Sequence, residues 1–288
     1  MTLTAQRLSH TPRRILAVLA HPDDEAFGMG GTLALYASQG VEVYLACATL
    51  GEAGVVSESL LSEGQSVADL RSAELSCSAQ NLGLKDVITL GYRDSGLLGW
   101  PDNNHPNALI NQPLESVVDH IAEVIKQVQP EIVLTFDPIG GYRHPDHIRV
   151  HEATVRAFAN VRASNSTESM PKALYFHTIP NGMVKAMVWT LRLSGRDPKK
   201  FGDKGDIDLE DVANQSFPIH ARVNYKAVAA KKSAASACHA SQSGITGGTG
   251  LQSLLMRLVA RPVDRFMQAF PEPKVGQRPK RDLFEGLA

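Results

Sequence analysis

Short apolar runs rich in β-branched residues alternate along this chain with longer segments whose apolar positions recur at helical spacing. The runs at 15–20, 41–49, 87–92 and 131–137 predict the first four strands. Helices are predicted between them, near 27–39, 66–83 and 114–129. Gly40 and Gly83 stand where the first two of these should stop, since glycine adopts the left-handed conformation that ends a helix. Strand and helix taking turns in this way is the pattern of βαβ units around a mostly parallel sheet, so the predicted class is α/β.

Past the fourth strand a helix is predicted over 146–160, with Asp146 as its N-cap and Val150, Ala153, Thr154 and Ala157 along one side. A fifth strand follows at 173–179. The stretch 195–214 is polar and rich in Gly, Asp and Lys, which predicts a surface excursion. A further strand at 217–223 and a helix at 224–239 carrying Lys226, Lys231 and Lys232 come next. A glycine-rich loop, 244–250, leads to an apolar stripe of Leu251, Leu254, Leu255, Leu258 and Val259, a helix that Pro262 should end or kink. The Pro- and Arg-rich tail, 271–288, is expected on the surface. The chain carries no internal repeat and no low-complexity tract.

Composition narrows the partners. With 288 residues, 43% hydrophobic and 20% charged, the chain can build one generous core or two modest ones and reads as a soluble globular protein. Twenty-nine basic against 30 acidic residues leave a formal net charge of -1, so no global field draws it to nucleic acid or to an anionic membrane, and neither is expected as a partner. Cys47, Cys77 and Cys238 are far apart, odd in number and outside any C-x-x-C spacing, which predicts reduced thiols and a cytoplasmic location. Arg7, Arg13 and Arg14 precede an apolar run of only six residues, too short for a signal peptide or a membrane span.

The chemistry gathers at strand ends. His21-Pro22-Asp23-Asp24-Glu25 follows the first strand, and His144-Pro145-Asp146-His147 follows the fourth, behind a Gly140-Gly141 turn. Open α/β sheets bind ligands at the carboxyl ends of their strands, and in common doubly wound orders these two loops face one another across the switch point. Two histidines and one carboxylate hold a borderline-soft cation and leave a position open for water, the arrangement of a catalytic zinc site. Adjacent Asp23 and Asp24 must diverge in an extended loop, one toward a metal and its neighbour toward water or substrate. His144 and His147, separated across a rigid proline, divide in the same way between metal binding and acid catalysis. Gly28-Met29-Gly30-Gly31 lacks the G-x-G-x-x-G spacing of a dinucleotide loop and follows carboxylates that would repel phosphate.

These paired motifs resemble the LmbE-like/PIG-L family of N-acetylglucosaminyl deacetylases, which includes the deacetylases of mycothiol and bacillithiol biosynthesis. The resemblance runs in motifs over about residues 14–242 and takes in Thr49-Leu50-Gly51-Glu52, Arg71-x-x-Glu74, Gly91-Tyr92-Arg93-Asp94, Gly141-Tyr142 and Cys238-His239-Ala240-Ser241-Gln242. It implies a Rossmann-like three-layer sandwich with a smaller, less regular C-terminal part. It also implies zinc held by His21, Asp24 and His147, with Fe2+ as another ion such a site accepts. Asp23 would be the general base, His144 the general acid with Asp146 orienting its ring, and Tyr142 would polarise the acetyl carbonyl. Arg71 and Asp94 would hold sugar hydroxyls, and Glu52 would line the same pocket. The implied substrate is a small amino-sugar conjugate; residues 1–185 would form the catalytic core, and 186–288 an extension completing the cleft within a single structural domain. Enzymes of this size often form symmetric assemblies, so a homo-oligomer is expected.

By residue type alone, other readings remain. Arg71 with Glu74 also suits a surface ion pair, Asp94 a turn, and His239 a helix end facing the dipole. His151 lies four residues past His147, but three ligands already fill the site, and His105 and His120 read as ordinary loop and helix-face residues. A metallohydrolase of another amide, an ester or a lipid-linked sugar would need much the same residues, and a non-catalytic sugar- or metal-binding module would keep the loops without the chemistry.

Overall fold

A computed structural model describes residues 12–164, 170–202, 204–242 and 261–287. In chain order its elements are β1 (Arg14–Leu19), α1 (Asp24–Phe27), α2 (Gly30–Ser38), β2 (Glu42–Thr49), α3 (Val67–Leu82), β3 (Asp86–Tyr92), α4 (Leu114–Val128) and β4 (Ile132–Phe136). There follow the kinked turn α5 (Gly140–Arg143), α6 (Pro145–Ala163), β5 (Ala173–His177), α7 (Asn181–Leu193), α8 (Leu209–Asn214), β6 (Ala221–Asn224), α9 (Ala229–Cys238) and β7 (Val263–Phe270). The strands form one sheet in the order β3-β2-β1-β4-β5-β7-β6. β1 to β5 run parallel, and β7 lies antiparallel between β5 and β6.

This is the expected α/β sandwich. β1 and β4 are central and buried on both faces, which is why they read as unbroken apolar runs: Ile15 to Val18 and Ile132 to Leu134 are each 0% exposed. Helices α2, α3 and α9 pack together, and α4 packs on α6. α3 begins in a reciprocal capping box between Ser66 and Asp69 and ends at Gly83, whose φ of 77° satisfies the last carbonyls as its sequence position predicts. The chain runs from β1 outward to β3, returns to β4 beside β1 and continues the other way. The crevice at that reversal is the switch point.

Several expectations are corrected. The helix predicted over 27–39 is broken at Gly28 into α1 and α2. The N-cap of α6 is His144, whose side chain accepts the N–H of Asp146, rather than Asp146 itself. The supposed surface excursion contains α8, whose Leu209, Val212 and Ala213 are buried against Val184, Val188 and Leu191 of α7 in a second small core. Its charged residues mask that apolar stripe in the composition. The predicted loop 244–250 and the stripe from Leu251 to Val259 lie outside the described residues.

The cysteine expectation also fails. Cys77 near the end of α3 and Cys238 at the end of α9 are 161 positions apart but form a disulfide, with Cα atoms 5.8 Å apart, because these two helices pack side by side. Only Cys47 is a free thiol, so the cytoplasmic placement drawn from reduced cysteines loses that support. Among the described residues no helix is long and apolar enough to cross a membrane.

The tail does not lie wholly on the surface. Leu283 is 0% exposed and Phe284 is buried. The Tyr36 hydroxyl donates to Asp282 and accepts the Leu283 N–H, both at 2.7 Å, while the Tyr175 hydroxyl donates to the Leu283 carbonyl at 3.0 Å. Two apolar side chains are enough to draw a polar segment onto the core. Leu283→Ala is therefore expected to cost about 2–5 kcal/mol of stability, read as a lowered urea midpoint. A midpoint equal to the parent's would put the tail back on the surface.

Candidate active site

The loop after β1 and the loop after β4 meet over the switch point. His21 and His147 face each other there, with His21 Nδ1 and His147 Nε2 3.1 Å apart. Asp24 joins them, one carboxylate oxygen 3.6 Å from His21 Nδ1 and the other 3.3 Å from His147 Nε2. Donors about 2.0–2.1 Å from one tetrahedral ion lie roughly 3.3–3.4 Å from each other, so the triangle has the size of a metal site.

The hydrogen bonds on the outer side of each ring say which lone pairs point inward. His21 Nε2 faces the carboxylates of Asp146, at 3.2 Å, and Asp94, at 3.4 Å, which can only accept, so Nε2 carries the proton. His147 Nδ1 faces the Gly140 carbonyl at 3.1 Å and carries its proton for the same reason. With Nε2 of His21 and Nδ1 of His147 so engaged, the two inward nitrogens and the Asp24 carboxylate converge as a donor set that calls for positive charge between them, a metal ion or a proton. These residues fit a divalent metal. Around His21, burial opposes charge, yet Asp94, Asp146 and Asp24 hold the imidazole pKa well above its ordinary value, so the cluster attracts positive charge. His144 also brings a ring nitrogen within 4.8 Å of His21 and His147.

Gly140 makes the close approach possible: at φ 64°, a Cβ there would lie 2.7 Å from that of His147. The His147 ring stacks on Phe136 with centroids 4.0 Å apart, which fixes its plane.

Asp23 turns the other way. Its φ of 128° is outside the usual range for a residue with a Cβ, a strain on the order of 1–3 kcal/mol. Its carboxylate meets Arg71 at 2.9 Å. Burial pushes the Asp23 carboxyl up to about 7, against the pull of Arg71. Desolvation also disfavours the charge of the half-buried Asp24, but His147 and His21 hold its carboxyl well below the usual range. The two neighbouring carboxylates thus differ, but through a turn and the first residue of α1 rather than through the extended loop expected.

Arg71 is only 3% exposed. Besides Asp23 it donates to the carbonyls of Pro22, at 2.5 Å, and Gly51, at 3.0 Å. Gly51 must be glycine, since a Cβ there would lie 1.9 Å from the guanidinium. Arg71 also lines the cleft, so its hold on the Asp23 loop is a role beside the expected grip on sugar hydroxyls. Arg71→Met is expected to lower kcat by about 10- to 100-fold with KM little changed. A raised KM at constant kcat would return Arg71 to the substrate.

Of the remaining expected residues, Asp94, Tyr142 and His144 line the same crevice, whereas Glu52 and Asp146 are not among its lining residues and stand behind Asp94 and His21. An Asp94 oxygen also accepts the Gly96 N–H at 2.8 Å. Burial disfavours its charge, but His21 beside it keeps the carboxyl well below the usual range. Glu52 accepts the Asp94 N–H at 3.0 Å and so supports that residue from behind. Asp146 differs from expectation: its carboxylate serves His21 and the Ser95 N–H, and only its backbone N–H, at 3.2 Å from Nδ1, orients the His144 ring. Burial, with His21 and His147 close by, drives the His144 pKa well below the ordinary imidazole value. Tyr142 places its ring 6.0 Å from that of His144 and makes no hydrogen bond through its hydroxyl among the described residues. Burial, then Asp24, pushes its phenol pKa up, keeping it a donor.

His151 is not near the triangle; its Nδ1 bonds the Phe136 carbonyl at 2.8 Å. His177, at the carboxyl end of β5, lines the cleft although it belongs to neither motif; a histidine ending a parallel strand is itself a signal. So is the buried polar stripe of α3, where Arg71, Glu74 and Ser78 share one face at helical spacing. From the triangle a cleft of about 1080 Å³ extends past Trp100, Ile179, Met183, Met187, Phe201 and Phe217.

Comparison with known proteins agrees with the site. Residues 16–158 match the family model described as PIG-L, GlcNAc-PI de-N-acetylase. A relative from Acidothermus cellulolyticus, named 1D-myo-inositol 2-acetamido-2-deoxy-alpha-D-glucopyranoside deacetylase, is 36% identical over 244 residues, 82% of this chain and 81% of the relative. Among solved structures, N,N'-diacetylchitobiose deacetylase from Pyrococcus horikoshii superposes with a TM-score of 0.57 at 22% identity, over 92% of this chain and 87% of that one. GalB, a 4-carboxy-2-hydroxymuconate hydratase from Pseudomonas putida, superposes with a TM-score of 0.60 at 20% identity, over 92% of this chain and 100% of that one, so the fold alone does not dictate the reaction. With the motifs, the crevice and the relatives all in agreement, this chain belongs to the PIG-L, or LmbE-like, family of deacetylases.

Proposed function

We propose that this protein is a zinc-dependent amidohydrolase that removes the acetyl group from an N-acetylglucosamine conjugate, yielding the free amine and acetate. The observation that carries this reading is the convergence of three inward lone pairs, from His21, Asp24 and His147, beside the separately held carboxylate of Asp23. Two nitrogens and one oxygen at these spacings suit zinc, and Fe2+ is the other ion this donor set accepts. Bound there, the ion would acidify a water and polarise the amide carbonyl.

The protein's own groups then divide the work. Asp23 takes a proton from the attacking water. The Tyr142 hydroxyl, without another hydrogen-bond partner among the described residues, and the His144 ring stabilise the negative oxygen of the tetrahedral intermediate. As the C–N bond breaks, His144 passes the proton on its Nε2 to the departing amine, and the proton that Asp23 took from the water replaces it, so that one water is consumed and acetate and the free amine leave. Asp146 and Asp94 steady His21 from outside, and Asp94 also offers an acceptor to a sugar hydroxyl. The cleft beyond has room for an aglycone, and residues 186–288 supply much of that wall, as a completion of one structural domain rather than a second one.

The experiment is acetate release from a panel of N-acetylglucosamine derivatives by zinc-loaded protein. The expected result is hydrolysis of conjugates such as the inositol glycoside well ahead of free N-acetylglucosamine. No acetate from any member would end the reading.

A further inference from the structure

A residue with a Cβ does not stay at φ 128° unaided; Arg71 holds the Asp23 carboxylate, and the group that holds its backbone N–H is Glu25, which is wholly buried. Glu25 Oε2 accepts the Asp23 backbone N–H at 3.0 Å. Its Oε1 is held by the Ser78 hydroxyl at 2.5 Å and by His239 Nε2 at 2.7 Å. His239 is itself 0% exposed and follows the last residue of α9. That end of α9 is anchored to α3 twice: the Cys77–Cys238 bridge lies on one side, and the Ser241 N–H and hydroxyl bond Glu74 at 2.8 and 2.7 Å on the other. The C-terminal part of the chain therefore reaches under the loop after β1 and, through Glu25, bears on the backbone of Asp23.

A carboxylate–imidazole pair kept only for packing has no need of the loop above it. Here one oxygen of Glu25 is spent on His239 and Ser78, and the other on the single N–H whose conformation separates Asp23 from Asp24. We propose that Glu25 and His239 are positioning residues for hydrolysis, acting as a clamp that keeps the Asp23 carboxylate facing the cleft while Asp24 faces His21 and His147. This rests on Asp23 being the base of the proposed reaction.

The test compares His239→Ala with His239→Gln, whose amide can still donate to Glu25. His239→Ala is expected to lower kcat by about 10- to 100-fold with KM and bound metal nearly unchanged. His239→Gln should recover most of that loss. Crystal structures of the two variants read the clamp without turnover: Asp23 leaves positive φ in His239→Ala and keeps it in His239→Gln. If Asp23 keeps its φ in His239→Ala, or if the two variants lose activity equally and in step with their melting temperatures, the clamp is refuted. Should His239→Ala not fold, Ser78→Ala serves instead; a severalfold lower kcat at constant KM supports the clamp, and an unchanged kcat refutes it. Parent protein that releases no acetate from any conjugate would instead overturn the deacetylase reading, while the φ of Asp23 in the variants would still decide the clamp.

Discussion

Asp23→Asn is expected to slow acetate release by about 100- to 10,000-fold while bound metal and thermal midpoint stay close to those of the parent. Asparagine has the same shape, so its carbonyl oxygen can still take the Arg71 hydrogen bond now made at 2.9 Å. Its backbone N–H can still reach Glu25 at 3.0 Å. What it lacks is a site for a proton. The neighbouring ligand, Asp24, is untouched by the change, which is why metal content is the control. Steady-state kinetics with metal analysis on the same preparation checks this, and a variant with parental turnover would take the base assignment away from Asp23.

Removal of the metal should have the other large effect. Dialysis against a strong chelator is expected to abolish hydrolysis, and about one equivalent of zinc per chain to restore it. Stability should follow. Without an ion the inward nitrogens of His21 and His147, 3.1 Å apart, and the Asp24 carboxylate have only a proton to share, a weaker tie than a coordinated ion. An ion that binds only the folded state raises the melting temperature in proportion to the logarithm of its concentration over Kd. Calorimetry with and without added zinc measures that shift. Natively folded protein that holds no divalent cation and hydrolyses equally well in chelator would refute the metal site and the mechanism together.

The central strands and the two motif loops are legible in the amino-acid pattern. β1 and β4 are buried on both faces, so burial demands apolar residues at every position rather than at alternate ones, and the runs stand out. The antiparallel end of the sheet is less legible. β7 escapes the pattern because Asp264, Arg265 and Gln268 interrupt it, and Asp264 is occupied by the Thr32 N–H and hydroxyl, each at 2.8 Å, from a residue 232 positions away. α8 hides in the same way inside a polar stretch.

Within the site, the residue types and their gathering at strand ends are readable, whereas their pairings are not. The partner expected for the Asp146 carboxylate is the nearby His144, yet it serves His21, 125 positions away. Arg71 also meets Asp23, 48 positions away, a pairing that its helix position does not announce. Cys77 finds Cys238 across 161 positions.

Strand and helix order and the switch-point location of the two histidine–aspartate loops are written into the order of residues. Each follows from local periodicity or from neighbours along the chain. Which carboxylate backs which ring, which group restrains Asp23 and which thiols meet are settled by three-dimensional packing instead. A buried polar group must take a partner from whatever the packed layers bring within about 3 Å, and that competition among distant residues leaves no trace in local pattern.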